Sequence, residues 1–240
     1  MGKVIMVAGR GGSGKTTVSA NLSYAFSKLN KNVLVIDCDF GMRCTDLLFG
    51  LENEIVYNIN DVLQKNCTFD DAVIRINDKL SFISAPQNIT FDMADYNLFN
   101  SFLTEKKQQY DYIVLDLTAS ITDFMTKFIK FADQLLIVGV CDFQNARVVE
   151  KLAFYGEKAN IKNINLVINK VFVDKFKKNG IIDINEFIGL TAVTPIGVCP
   201  YDVVVTKGSI VVDNKKSICG KAYLNIARRI DGEKVPLLNV

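Results

Sequence analysis

Residues Gly9-Arg10-Gly11-Gly12-Ser13-Gly14-Lys15-Thr16-Thr17 constrain this chain more than any other stretch. From Gly9 to Thr16 they satisfy G-x-x-x-x-G-K-[ST], the phosphate-loop pattern. The run before them, 4–8, is short and apolar, as a buried parallel strand should be. The run after them places Val18, Leu22, Ala25, Phe26 and Leu29 at helical spacing. Strand, glycine loop and helix thus stand in the order a nucleoside triphosphate site needs. Gly11, Gly12 and Gly14 let backbone N–H groups turn inward and phosphate oxygens approach. The helix that opens near Lys15 aims its positive end at the same anion. Lys15 suits the β- and γ-phosphates, and the Thr16 hydroxyl suits Mg²⁺.

Two other readings share these letters. Three glycines also make an ordinary tight turn, but Lys15-Thr16 at the right offset, with both flanks correct, argues against that. Gly9-x-Gly11-x-x-Gly14, with Asp37 closing the next apolar run, also fits the dinucleotide fingerprint of a hydride-transferring, NAD-dependent enzyme. That fingerprint has no need of Lys15-Thr16, nor of a second strand ending in an acid.

The chain of 240 residues is 49% hydrophobic, enough for one large core, so a single α/β domain over 1–240 is expected. A net charge of +2 does not by itself imply nucleic acid. Six scattered cysteines without a C-x-x-C pair read as reduced, mostly buried residues of a cytoplasmic protein. With no histidine, acid–base work falls to carboxylates, lysines or tyrosines. No apolar run reaches transmembrane length, and neither a signal peptide nor a myristoylation signal is recognised.

Apolar runs at 33–37, 80–84, 112–115, 135–140, 165–169 and 193–198 read as further strands. Helical patterns at 58–64, 69–76, 93–109, 122–132, 143–158 and 218–230 separate most of them. Asp183 with Glu186 resembles a capping box for a short helix through 188. Such alternation predicts a three-layer, doubly wound, mainly parallel sheet flanked by helices, the P-loop NTPase fold. Ligands of such sheets bind at the carboxyl ends of the strands. Two of those ends are acidic: Asp37-Cys38-Asp39 and Asp116. An Asp closing a hydrophobic strand in the same sheet is the usual partner of a phosphate loop for holding Mg²⁺ through water, although such an Asp can also simply start a turn. Asp37 and Asp39 lie two residues apart on an extended segment and so point the same way. One could serve the metal and the other orient the attacking water, or Asp37 could merely hydrogen-bond the loop. Asn169-Lys170 closes another strand, and Phe172 stands where a guanine-reading Asp would follow, which favours adenine; Asp174 lies nearby.

Arg10-Gly11-Gly12-Ser13-Gly14-Lys15-Thr16-Thr17 resembles the deviant loop K-G-G-x-G-K-[ST]-[ST] of the MinD/ParA family of dimerising ATPases. The likeness continues through Asp37-Cys38-Asp39-Phe40-Gly41-Met42-Arg43, Asp46-Leu47-Leu48-Phe49-Gly50-Leu51, Ile55-Val56-Tyr57, Asn169-Lys170-Val171 and Ile196-Gly197-Val198-Cys199-Pro200. It covers nearly the whole chain and favours the MinD branch, with relatives that place flagella or pili close by. The resemblance implies ATP/ADP and Mg²⁺ as ligands, an ATP-dependent homodimer and slow, partner-stimulated hydrolysis in septum placement or polar positioning. It implies nucleotide contacts at Gly11, Gly12, Ser13, Gly14, Lys15, Thr16, Thr17, Asn169, Pro200 and Asp202. Arg10, Lys15 and Asp39 would be catalytic, Arg10 by crossing to the other subunit's phosphates and Asp39 by positioning the attacking water, and Thr16, Asp39 and Asp116 would serve Mg²⁺.

Three departures stand out. Arg10 replaces the signature Lys; it keeps the charge but is planar and longer. Leu117-Thr118-Ala119-Ser120 replaces the usual Pro and Gly after the metal-side Asp. No Lys or Arg follows Lys234, so no basic amphipathic membrane helix is expected in this chain; membrane contact then needs a longer tail, or a protein partner recruits it. Lysines at 175, 177 and 178 and at 215, 216 and 221 read as solvated faces, or as a weak DNA or lipid surface. A DNA-partition ATPase of the ParA branch and an NAD enzyme remain the alternatives.

Overall fold

The computed structural model describes residues 1–40, 42–87, 93–118, 123–172, 182–206 and 210–237. Among them, eight strands form one sheet in the order β3-β4-β2-β5-β1-β6-β7-β8. These are β1 (Lys3–Gly9), β2 (Val33–Cys38), β3 (Ile74–Asn77), β4 (Leu80–Ile83), β5 (Tyr112–Leu117), β6 (Gln134–Gly139), β7 (Asn163–Val171) and β8 (Pro195–Pro200). Every neighbouring pair is parallel except β3–β4 at the edge.

The core has two halves because each strand alternates its side chains. Val4, Met6 and Ala8 of β1 enter one apolar cluster, and Ile5 and Val7 enter the other. Helices α1 (Lys15–Lys28) and α10 (Ile218–Ile230) cover the second face, through Val18, Leu22 and Phe26 of α1 and Tyr223 and Ile226 of α10. Helices α5 (Met93–Lys106), α7 (Phe143–Lys158) and α8 (Ile184–Thr191) cover the first, with Phe99, Val149 and Phe187 fully or almost fully buried. Helix–sheet–helix layering is thus observed as expected.

Short elements fill the left half of the sheet: α2 (Thr45–Phe49), α3 (Ile59–Leu63) and α4 (Phe69–Ala72). A helix over 69–76 was expected, and here the structure differs. Thr68 and Asp71 do form a capping box, but it opens a single turn. Ile74 and Ile76 are β-branched and alternate with polar Arg75 and Asn77, so the chain turns instead into edge strand β3. The hairpin closes where Lys79 donates its N–H to Asn77 Oδ1 at 2.9 Å. The 122–132 pattern resolves into α6 (Asp123–Phe128) and a 3₁₀ turn at Ile129–Phe131. Short α9 (Val203–Thr206) had no sequence signal of its own.

Packing between β8 and α10 is close enough to test. An added Cβ on Gly197 would lie 2.2 Å from Ile226 Cγ1. The buried Ile226 has no room to retreat. Gly197→Ala is expected to destabilise the fold by about 1–3 kcal/mol, read as a lowered urea midpoint with unchanged slope.

Candidate functional site

The glycine loop joins β1 to α1 at the carboxyl edge of the sheet. Gly12 takes φ 77° and Gly14 φ 93°, conformations that disfavour any side chain. At Gly14 the space is closed as well, since a Cβ there would meet Asn169 Nδ2 at 2.4 Å. Gly14 also serves as N-cap of α1, and no side chain caps that helix or places an acid in its first turn. The first N–H groups of α1 are therefore left for an external acceptor, which is the chemistry of an anion cradle. Ser13 Oγ is buried without a partner beside them. Lys15 is buried with no ion-pair partner among the described residues; burial pulls its pKa down, and Asp116 and Asp39 oppose that. These residues fit a phosphate group.

The loop is braced from the other half of the sheet. Asn169 Nδ2 donates to the Ser13 carbonyl at 2.8 Å, and Lys170 Nζ donates to the Gly12 carbonyl at 2.7 Å. Lys170 adopts φ 55°, which turns its chain back toward the loop. Asn169 was expected at the site; the Lys170 bond was not, because its reach to a carbonyl two strands away depends on the order of β1, β6 and β7 in the sheet. Pro200 and Asp202 lie at the end of β8, on the same edge. Asp202 accepts from Val204 N at 2.8 Å and from Ser217 Oγ at 3.4 Å, and the Pro200 carbonyl accepts from Cys219 Sγ. Beside them Phe172 stacks on Tyr201 with centroids 4.3 Å apart. Arg10 is exposed at the loop, Thr16 and Thr17 are half-buried, and Gly11 is exposed.

On the other side, β2 and β5 pair with Asp37 opposite Asp116, both fully buried. Ser19 Oγ donates to Asp116 Oδ1 at 2.9 Å and Thr45 Oγ1 to Oδ2 at 3.0 Å. Thr16 hydrogen-bonds the same carboxyl. Asp116 and Thr16, both read from the sequence as site residues, thus meet beneath the loop. Asp37 plays the plainer of its two expected roles: Oδ1 accepts from Asp39 N at 2.8 Å and Oδ2 from Thr45 N at 3.1 Å, so it holds the segment after β2 in place. Asp39 is half-buried, its pKa raised by burial and pulled back by Lys15. Neither Ser19 nor Thr45 carries a motif signal; only the helical offset of Ser19 from Thr16 hints at a shared face. The sequence departure at 119–120, Gly41, and Asp174, Lys175, Lys177 and Lys178 lie outside the described residues, while Lys215, Lys216 and Lys221 are exposed.

Burial, reinforced by Asp116, pushes Asp37 up to about 7, whereas an unfolded carboxyl titrates near 3.8. Between those values the folded chain holds a proton that the unfolded chain has lost. This contribution to stability is therefore full at low pH and disappears as pH rises through about 7. Asp37→Asn removes it. Wild type should gain on the order of 2 kcal/mol relative to Asp37→Asn between about pH 7.5 and pH 5. Urea unfolding at several pH values checks this; parallel curves for the two proteins would sink it.

An AAA-domain family profile matches residues 2–175. The septum site-determining protein MinD of Synechocystis is 35% identical, over 98% of this chain and 91% of that protein. MinD of Bacillus subtilis is 32% identical, over 99% and 92%. A chain of the Aquifex aeolicus MinC:MinD cell division protein complex superposes with a TM-score of 0.88 at 28% identity, covering 99% of both chains. These matches decide between the two glycine patterns in favour of the phosphate loop and set hydride transfer aside. The loop braced by Asn169, Lys15 at its turn into α1 and Asp116 on the adjacent strand stand beside these matches, and the chain belongs to the MinD family of P-loop ATPases.

Proposed function

We propose that this chain is a nucleotide-driven switch for placing the division septum, in which ATP holds two copies face to face and hydrolysis releases them. The observation that carries the reading is the uncapped start of α1 beneath a glycine loop, with Lys15 buried beside it. The name of the full-length relatives, septum site-determining, supports placement over DNA partition. A protein partner is supported by the MinC:MinD neighbour.

In this reading Gly11 to Thr17 receive the phosphates through backbone N–H groups, and Lys15 neutralises their charge. Thr16 would hold Mg²⁺ directly and Asp116 through water; the ion supplies charge neutralisation at the phosphoryl oxygens. Asp39, half-buried and near Lys15, orients the attacking water. Asn169, Pro200 and Asp202 flank the adenine. Arg10 is exposed and its guanidinium is suited to a partner subunit's phosphates, which it can grip with two N–H donors.

Light scattering with Mg²⁺ and either ADP or a slowly hydrolysed ATP analogue tests the switch. A dimer is expected only with the triphosphate, and Arg10→Ala should remain monomeric. Lys15→Ala should lower turnover by about 10²–10³-fold, as loss of one preorganised charge does elsewhere. A wild-type protein that stays monomeric with both nucleotides would overturn the dimer reading.

A further inference from the structure

We infer that Thr45 is a positioning residue for hydrolysis, tying the segment that carries Asp39 to the metal-side carboxylate Asp116; this rests on the ATPase reading of the site. Thr45 is fully buried and opens α2, yet its hydroxyl and its backbone N–H both go to carboxylates outside that short helix. Its hydroxyl donates to Asp116 Oδ2 at 3.0 Å, and its backbone N–H donates to Asp37 Oδ2 at 3.1 Å. The second oxygen of Asp37 takes the N–H of Asp39 at 2.8 Å. One carboxyl therefore staples both ends of the 39–45 segment, and Thr45 fastens that staple to the neighbouring strand.

Just past the first fastened end, the N–H groups of Met42 and Arg43 both donate to the Asp39 carbonyl, at 3.2 and 3.0 Å. Met42 is 72% exposed. Arg43 takes φ 42° and folds back to Asp46, Nε to Oδ2 at 2.8 Å, with Asp46 buried. Among the described residues, the segment is thus pinned at both ends while the Met42 side chain stays exposed. Asp116 in turn is gripped from two directions: by Thr16 and Ser19 of α1 and by Thr45. A shift of the Asp116 carboxyl pulls on Thr45, and Thr45 is bonded to Asp37 Oδ2, on the same carboxyl whose Oδ1 holds the Asp39 N–H. Through these contacts the state of the metal side reaches the residue that orients water. The hydroxyl is the necessary part, because the backbone N–H is present whatever the side chain.

The test compares wild type with Thr45→Val, which keeps the shape and drops the hydroxyl, and Thr45→Ser, which keeps the hydroxyl. Steady-state kinetics should show kcat of Thr45→Val reduced at least about tenfold with KM little changed, the signature of an interaction lost mainly in the transition state. ADP affinity measured without Mg²⁺ should stay within about twofold of wild type, since the phosphate cradle is untouched. Thr45→Ser should recover most of the rate. Should Thr45→Val fail to fold, Thr45→Ala removes the same hydroxyl with less bulk and must show the same split. A folded variant lacking the hydroxyl but turning over at the wild-type rate overturns the inference. So does a Thr45→Ser enzyme as slow as Thr45→Val, or an equal loss of ADP binding and kcat, which would mark a structural role only. If wild type itself shows no Mg²⁺-dependent ATP hydrolysis, the ATPase reading fails first and the role of Thr45 falls with it.

Discussion

Asp37 and Asp116 face each other across β2 and β5 with no exposure to solvent, and the rest of the site is arranged around that pair. Two buried carboxyls side by side are costly, because each resists the other's charge and neither is hydrated. The structure offsets the cost locally. Asp37 takes two backbone N–H donors from the segment that follows its own strand, and Asp116 takes hydroxyls from α1 and α2. Satisfying the pair therefore obliges α1, the 39–45 segment and the two strands to hold one relative position. Remove either acid and the donors around it lose the acceptor that placed them.

Bracing from the opposite side makes the loop rigid where rigidity matters. The strand order runs from β1 through β5 to β2 one way and through β6 to β7 the other. Donors for the loop carbonyls come from the end of β7, while the acids come from β5 and β2. The loop thus hangs between the two halves of a doubly wound sheet, at the crevice where such sheets bind ligands. Asn169 and Lys170 hold the Ser13 and Gly12 carbonyls, and the Ser13 N–H is spent on the Arg10 carbonyl, so the uncapped first N–H groups of α1 are the donors left at the loop. That arrangement is prepared before any ligand arrives, so little reorganisation accompanies binding.

Much of this was legible in the chain. Helices α7 and α10 begin and end where the sequence pattern placed them, and the structure shows Asp142 and Ser217 as their N-caps. The strand–loop–helix unit was legible because its residue types admit few other conformations. Edge strand β3 was misread because a genuine capping box at Thr68 opened a helix that β-branched neighbours could not continue. The hydroxyls of Ser19 and Thr45 were invisible for a different reason. Serine and threonine are common everywhere, and only the register of β2 against β5 brings a residue eight positions beyond Asp37 onto an acid 71 positions further along. Short-range patterns carry no record of such a pairing.

The charges of the loop divide by burial, and that division bears on how a switch can be controlled. Lys15 is buried, and Lys170 is bound to the Gly12 carbonyl, so both have given up their freedom during folding. Arg10 has not; it remains exposed, with the full rotamer entropy of a long side chain. Ordering it must be driven by whatever it eventually meets. On the proposed reading that is the phosphate of a second copy, so the cost of ordering falls on association and not on nucleotide binding. Binding can then be tight in the single chain while dimerisation stays marginal and responsive to which nucleotide is present. An arginine reinforces this separation, since its two-pronged grip is strong only when both donors find oxygens together.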